Sequence, residues 1–160
     1  MSLENLTTDA ESWRDRLVDN GEDISRILED MYRIAVIGIK TPESNAAAFS
    51  IPAELAELGF DVVPVPVYYP ELTELLGKPV HRSLATITPP ADLVLLFRRA
   101  SDIPQHVADI LAAKPRVVWM QQGIRNQAVA EQLAQAGVEV VQDRCIYTEL
   151  GHRGKLDGGN

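Results

Sequence analysis

The stretch "RIAVIGIKTPESNAAAFSIPAELAELG", residues 33–59, decides the fold. It begins with an apolar run that ends at Gly38, continues through a polar loop, and finishes with a helical pattern that stops at Gly59. A dinucleotide-binding turn reads G-x-G-x-x-G at this point. Here Gly38 is followed by "IKTPE", so the second and third glycines are missing. The stretch predicts a strand–loop–helix unit of the nucleotide-binding kind that lacks the turn for NAD.

The composition is that of a soluble globular protein. A chain of 160 residues fits one domain with a sizeable core, and its apolar fraction of 46% and charged fraction of 24% are ordinary. The single cysteine, Cys145, cannot form an internal disulfide, which fits a reducing compartment. No apolar run approaches the roughly 18 residues of a membrane span, and the polar, acidic N-terminus is not a signal peptide. We therefore expect a soluble cytoplasmic protein.

The net charge of −8 is concentrated at the N-terminus, where residues 1–30 contain nine acidic residues and three arginines. No basic stripe is present, so neither nucleic acid nor a membrane is an expected partner. We predict an acidic helical extension over residues 1–30 packed on the domain, and a Rossmann-like domain over residues 31–152. A mobile tail is expected over residues 153–160.

Strand and helix patterns alternate along the chain. Apolar positions at helical spacing predict a helix over residues 9–30, and "RIAVIG" predicts a strand buried on both faces. A helix follows from Ser50, a suitable N-cap, to Leu58, and "DVVPVPV" is the next strand. "ELTELLG", residues 71–77, predicts a short helix, and "KPVHRSLATI" predicts a brief strand around Val80.

The second half repeats this alternation. "ADLVLLF" and "RVVWMQ" predict buried strands and "VEVVQ" a further strand, while "DIPQHVADILAAK" and "NQAVAEQLAQAG" predict helices. Alternating strands and helices imply right-handed crossovers and a parallel sheet covered on both faces. The predicted fold is α/β: a Rossmann-like three-layer α/β/α arrangement with a doubly wound, mainly parallel sheet of about five strands.

Ligands of such a sheet bind at the carboxyl ends of the strands, near the point where the strand order reverses. The segments that follow the predicted strands are 38–41, 64–66, 97–99, 121–123 and 143–145. They bring Lys40, Arg98 and Arg99 to one edge, next to a helix N-terminus, and this is a phosphate-binding composition. The alternative is that the two arginines pair with surface acids.

A missing carboxylate argues further against NAD. NAD-binding proteins place an acid near the end of the second strand, where it accepts hydrogen bonds from the ribose. Here that end reads V-P-V-P, and Asp61 is at the start of the strand. Prolines present a stiff apolar surface, which suits the face of a base better than a ribose diol. Gly38 is then present for phosphate access, for a positive φ, or as a plain turn glycine.

Five segments follow one another in a fixed order between residues 24 and 152. They are "IAVIG", "FSIPAELAELGFDVVPVPV", "GKPVHRSLATI", "DLVLLFRRASDIP" and "VVWMQQGIRNQAVAEQLAQAGVEVVQDRCI". The most specific motifs among them are "FRR", "W-x-Q-x-G" and "DRC". In this order the segments resemble the small stand-alone CoA-binding proteins, whose domain also occurs in succinyl-CoA synthetase-type ligases. The resemblance implies a Rossmann-like sheet that binds coenzyme A or an acyl-CoA, as a carrier, sensor or regulatory module without its own catalysis.

The strand ends and the helix N-terminus predict where the cofactor lies. Its pyrophosphate would contact residues 38–41 and the helix N-terminus near Ser50, and its adenine would contact Val65 and Pro66. Family members often have a basic residue at the place of Ser50, so Lys40 is the candidate for the missing charge. The predicted binding residues are Gly38, Ile39, Lys40, Thr41, Ser50, Pro64, Val65, Pro66, Phe97, Arg98, Arg99, Gln122 and Gly123.

Signals for catalysis are weak, and we predict no metal and no catalytic residue. The three histidines, His81, His106 and His152, have no partner at metal-ligand spacing. Cys145, beside Arg144, is the single candidate nucleophile, although a cysteine after a buried strand is usually a packed thiol. Two alternatives to a CoA-binding module stay open: an NAD(P)-dependent or thiol-redox protein that uses Cys145, and an interaction protein that has lost its ligand. A protein partner or self-association also stays open.

Overall fold

A computed structural model describes residues 12–154 of the chain. The strands of this range are β1 (Leu17–Val18), β2 (Arg33–Ile37), β3 (Asp61–Val65), β4 (Glu74–Leu75), β5 (Lys78–Pro79), β6 (Leu93–Leu96), β7 (Val117–Met120) and β8 (Glu139–Val141). Six of these described strands form one sheet in the order β1-β8-β7-β6-β2-β3, and every neighbouring pair is parallel. The predicted fold class is confirmed, with one strand more than expected.

Helices cover both faces of the sheet. The α-helices of the described range are α1 (Gly21–Asp30), α2 (Ala47–Glu57), α3 (Val107–Ala113), α4 (Gln127–Gln135) and α5 (Ile146–His152). In β2, Ile34 and Val36 pack into the core beneath α1, α2 and α5, whereas Ala35 and Ile37 pack beneath α3 and α4. Burial on both faces explains the continuous apolar runs of the strands. Within residues 12–154, no helix is long and apolar enough to cross a membrane.

The helix predicted over residues 9–30 is wrong for the part that precedes α1. Leu17–Val18 pairs with β8 as the edge strand β1, after a 3₁₀ turn. Helix α1 begins only after Asn20, whose side-chain oxygen accepts a hydrogen bond from the Asp23 N–H at 2.8 Å. Leu17 and Val18, before this N-cap, belong to a strand, although their spacing also fits a helix. Residues 9–11 lie outside the described range.

The short helix predicted for "ELTELLG" is also wrong. Strands β4 and β5 pair there as an antiparallel hairpin. The two residues between them, Leu76 and Gly77, have φ values of 54° and 72°. Two consecutive positive φ values suit a tight hairpin turn and cannot continue a right-handed helix. The turn conformation therefore decides the structure of this segment.

Ion pairs join the N-terminal segment to the C-terminal helix α5. Buried Glu149 lies between Arg144 Nη1, at 3.5 Å, and Arg153 Nη1, at 3.1 Å. Arg144 Nη2 is also 2.9 Å from Asp19 Oδ1, and Arg153 Nε donates to Ser25 Oγ at 2.6 Å. Arg153, the first residue of the predicted mobile tail, is thus held by the fold. The rest of that tail lies outside the described range, and the division into extension, domain and tail stays a prediction.

Candidate functional site

The sheet order places the candidate site between the carboxyl ends of β2 and β6. From β2 the chain goes to β3 on one side, whereas β6, β7 and β8 follow on the other side, so the strand order reverses between β2 and β6. Open parallel sheets bind ligands in the crevice outside such a reversal point. The loop after Gly38 and the segment that begins at Phe97 form the two sides of this crevice.

Gly38 sets how closely the two sides approach each other. Its N–H donates to the Val65 carbonyl at 3.0 Å, and its φ is 87°. A Cβ at this position would lie 2.3 Å from the Phe97 carbonyl oxygen and 3.1 Å from Arg98 Cδ. A side chain here would therefore collide with the protein backbone. Of the three explanations for this glycine, the structure favours the positive φ and adds the close approach of β6.

Pro52 links the loop after β2 to helix α2. Because proline has no N–H, it leaves the Ala48 carbonyl, four residues earlier, without its helical donor. The Lys40 N–H donates to that carbonyl at 3.2 Å. Helix α2 begins at Ala47, and Ala46 provides no side-chain cap, so the first N–H groups of the helix have no side-chain acceptor. The helix N-terminus and Lys40 therefore share one corner of the crevice.

Ser50 is not the N-cap of α2, so this part of the prediction is wrong. Its N–H donates to the Ala46 carbonyl at 3.0 Å, as in an ordinary first helical turn. The helix starts three residues earlier, at Ala47, because the alanines before Ser50 are strong helix formers. The positive end of the helix dipole accordingly lies about one turn closer to Lys40 than the sequence suggested.

An open groove of ≈ 420 Å³ runs along this edge of the sheet, a volume within the range of small-molecule sites. It is lined by Lys40, Ala48, Phe97, Arg98, Arg99, Ala100, Gly123 and Ile124. Five of the predicted binding residues are thus brought together. The Lys40 ammonium makes no hydrogen bond or ion pair with any residue of the described range. A cation without a partner in a groove is suited to an anionic ligand.

The two adjacent arginines have different environments. The side chain of Arg99 is 82% exposed, and its Nε lies 3.1 Å from Asp102 Oδ2. Arg98 is buried: its Nε donates to His106 Nε2 at 3.1 Å, and its Nη1 is 3.5 Å from the Tyr68 hydroxyl. Both arginines therefore pair with Asp102, Arg99 closely and Arg98 through its Nη2 at 3.9 Å from Asp102 Oδ2. Arg98 also belongs to a buried network that supports the floor of the groove.

His106 makes this network sensitive to pH. Burial, and next the positive charge of Arg98, lower the pKa of His106 below its ordinary value of about 6.5, while Asp109 and Asp102 oppose the shift. As the pH falls below about 6.5, the unfolded chain protonates this histidine before the folded protein does. The contribution of neutral His106 to stability is complete above that pH and is lost on acidification.

We therefore expect the melting temperature of the wild type to fall more between pH 7.5 and pH 5.5 than that of His106→Gln. The glutamine oxygen can still accept a hydrogen bond from Arg98 Nε but does not titrate. Thermal unfolding followed by circular dichroism at both pH values measures the difference. Parallel losses for the two proteins would contradict this assignment.

Some predicted residues do not face the groove. Ile39, Pro64, Val65 and Pro66 are buried, so the wall that Val65 and Pro66 were expected to offer to a base is not exposed. Thr41 instead starts the 3₁₀ turn that leads toward α2. At the four buried positions the side chains are covered by the protein.

Gln122 lies in a second groove, of ≈ 240 Å³, beyond the ends of β7 and β8. Its lining is Asp19, Gln122, Arg125, Gln142, Asp143, Arg144, Cys145, Thr148 and Glu149. The Arg144 guanidinium beside Cys145 is already engaged by Asp19 and Glu149. Among the described residues, no three His, Cys, Asp or Glu side chains lie together as a metal site.

The sequence interpretation missed several residues. Ala100 and Ile124 directly follow predicted segments, and extending each segment by one residue would have included them. Ala48 is at the groove because α2 starts early. His106 reaches Arg98 from the end of the 3₁₀ helix that follows it, and Tyr68 reaches Arg98 from a segment 30 residues earlier in the chain. No local pattern marks these last two residues.

Comparisons with known proteins identify the family. A model of the CoA binding domain matches residues 32–151. YneT of Bacillus subtilis (strain 168), an uncharacterized protein, is 31% identical over 124 residues, which are 78% of this chain and 89% of that protein.

Two solved structures are similar over most of the chain. A Thermus thermophilus protein, cell-free ID.343, is 33% identical with a TM-score of 0.76 and covers 84% of this chain and 98% of its own. A hypothetical protein from Pyrococcus horikoshii OT3 is 28% identical with a TM-score of 0.76, and the match covers 84% and 92% of the two chains. The match to the domain model confirms the resemblance that the five segments indicated, and the chain belongs to the CoA-binding domain family.

Proposed function

We propose that this protein binds coenzyme A or an acyl-CoA in the groove between the ends of β2 and β6. The proposed role is that of a carrier, sensor or regulatory module without its own catalysis. The observation that carries the proposal is the ammonium of Lys40, which has no partner among residues 12–154, beside the N-terminus of α2, which Ala46 does not cap with a side chain. With exposed Arg99 on the opposite wall, the groove offers cationic and N–H donors to a diphosphate from two sides.

The NAD(P) alternative has less support. Asp61, the nearest acid on β3, lies at the opposite end of that strand and is held by Arg33 at 2.7 Å and Lys78 at 2.6 Å. A ribose at the carboxyl edge would therefore not find the carboxylate that NAD-binding sheets supply. The thiol-redox alternative rested on Arg144 acting on Cys145, and that arginine is engaged elsewhere.

The test is thermal unfolding with added nucleotides. We expect CoA to raise the melting temperature, since a ligand that binds only the folded state stabilises it by RT ln(1 + [L]/Kd), or about 2.7 kcal/mol at a hundredfold excess over Kd. NAD at the same concentration should have a much smaller effect. Without ligand, the Lys40→Ala variant should have the same melting temperature as the wild type. With CoA, its melting temperature should rise less than that of the wild type. A clear shift with NAD and none with CoA would overturn the proposal.

A further inference from the structure

Tyr68 is an exposed aromatic residue beside the groove. Among the described residues, the exposed large hydrophobic side chains are Tyr32, Leu58 and Tyr68. Of these, Tyr68 contacts the site: the Arg98 guanidinium lies over its ring, 5.7 Å from the centroid, and the hydroxyl is 3.5 Å from Arg98 Nη1. Because Arg98 also lines the groove, Tyr68 lies next to the groove on the β3 side. The ring is 57% exposed, so much of its surface is free for a ligand.

The loop that carries Tyr68 is fixed by an arginine from another segment. Arg82 donates hydrogen bonds to four backbone carbonyls, those of Pro66 at 3.2 Å, Tyr68 at 3.0 Å, Tyr69 at 2.7 Å and Leu72 at 3.0 Å. A planar guanidinium with five N–H donors can satisfy several acceptors at once, which an ammonium cannot do in the same geometry. The exposed ring therefore sits on an ordered loop, and its position costs little entropy on binding.

A preplaced aromatic ring is a stacking surface for a nucleobase. Base–aromatic stacking is tolerant of sequence, and loss of one such partner weakens binding on the order of tenfold or more. Val65 and Pro66, which were expected to contact the base, are buried and cannot do so. Tyr68 lies close to them in the sequence, just beyond the end of β3, and its aromatic ring is exposed.

We propose that Tyr68 stacks on the base of the bound nucleotide and that Arg82 is the positioning residue that holds its loop. This inference rests on the proposed function, since it names the part of the same site that distinguishes a nucleotide from a simple phosphate. Arg98 contacts the Tyr68 ring and also lines the groove in which the phosphates are expected. The base and the phosphates would therefore bind next to each other.

The experiment compares two ligands and four variants by isothermal titration calorimetry. CoA carries the base, whereas 4′-phosphopantetheine has the thiol arm and a phosphate but no base. Tyr68→Ala should weaken CoA binding at least tenfold and change 4′-phosphopantetheine binding less than twofold. Tyr68→Phe should keep CoA affinity within about threefold, because the ring is the stacking group.

Arg82→Ala should weaken CoA binding severalfold with the same selectivity between the two ligands. Tyr32→Ala is the matched control, because Tyr32 has the same 57% exposure and is not among the residues that line the groove. Wild-type affinity for CoA in Tyr68→Ala, or an equal loss for both ligands, would overturn the stacking role and leave the proposed function standing. Failure of the wild type to bind CoA would overturn both.

Discussion

Replacing Gly38 by alanine should lower the free energy of unfolding by about 2–4 kcal/mol, with or without ligand. Two effects add at this position: the φ of 87° is strained for a residue with a side chain, and the new Cβ would lie 2.3 Å from the Phe97 carbonyl oxygen. That oxygen is backbone at the end of β6, so relief of the collision requires the neighbouring strands β2 and β6 to move apart. Urea denaturation followed by circular dichroism measures the loss.

Gly123→Ala is the matched control for this variant. Its φ of 86° is nearly the same, but a Cβ there would meet no atom within 4 Å. We expect a loss of only about 1 kcal/mol, from backbone strain alone. Equal losses for the two variants would show that the close approach of Phe97 does not affect the free energy of unfolding.

Arg98→Ala and Arg99→Ala should differ, although the residues are neighbours. Arg98 is buried and donates to His106, so its loss should lower the free energy of unfolding by about 1.5–3 kcal/mol. Arg99 is exposed and pairs with Asp102 at the surface, so its loss should change stability by less than about 0.5 kcal/mol.

The two substitutions should also differ in their effect on CoA binding. Arg99→Ala should weaken CoA binding by about 1.5–3 kcal/mol, because its exposed guanidinium can make a charge-assisted contact with a phosphate. Thermal unfolding and calorimetric titration of both variants separate the two roles. The same stability for both variants, together with unchanged CoA affinity in Arg99→Ala, would contradict this division.

The central part of the fold could be predicted because burial on both faces leaves a plain signal. The sequences of β6 and β7 are continuous and apolar, and β2 is apolar after Arg33; the alternation of such strands with helices predicts a parallel sheet. The edge strand β1 has only two residues, and their spacing fits a helix as well as a strand. The β4–β5 hairpin depends on two positive φ values, one of them at Leu76. A leucine in the sequence does not indicate a positive φ.

The position of the candidate site could be predicted from the sequence, but most of its side-chain contacts could not. The rule that ligands meet the carboxyl ends of strands identified Lys40, Arg99 and Gly123 as groove residues. It could not show that Arg98 is buried, because that depends on His106 and Tyr68, which come from other segments. It also could not show that Pro66 is buried, because the sequence at the end of a strand is the same whether the next residue is covered or exposed.

The pairing of β1 with β8 has a consequence for the order of folding. Leu17 is in register with Val140, so more than 120 residues separate the two partners along the chain. During synthesis the first strand has no partner in the sheet until nearly the whole domain has been made. Loop closure over such a distance is slow relative to the local β–α–β contacts. Strand β1 is therefore expected to join the sheet last, and β8 remains an open edge until it does.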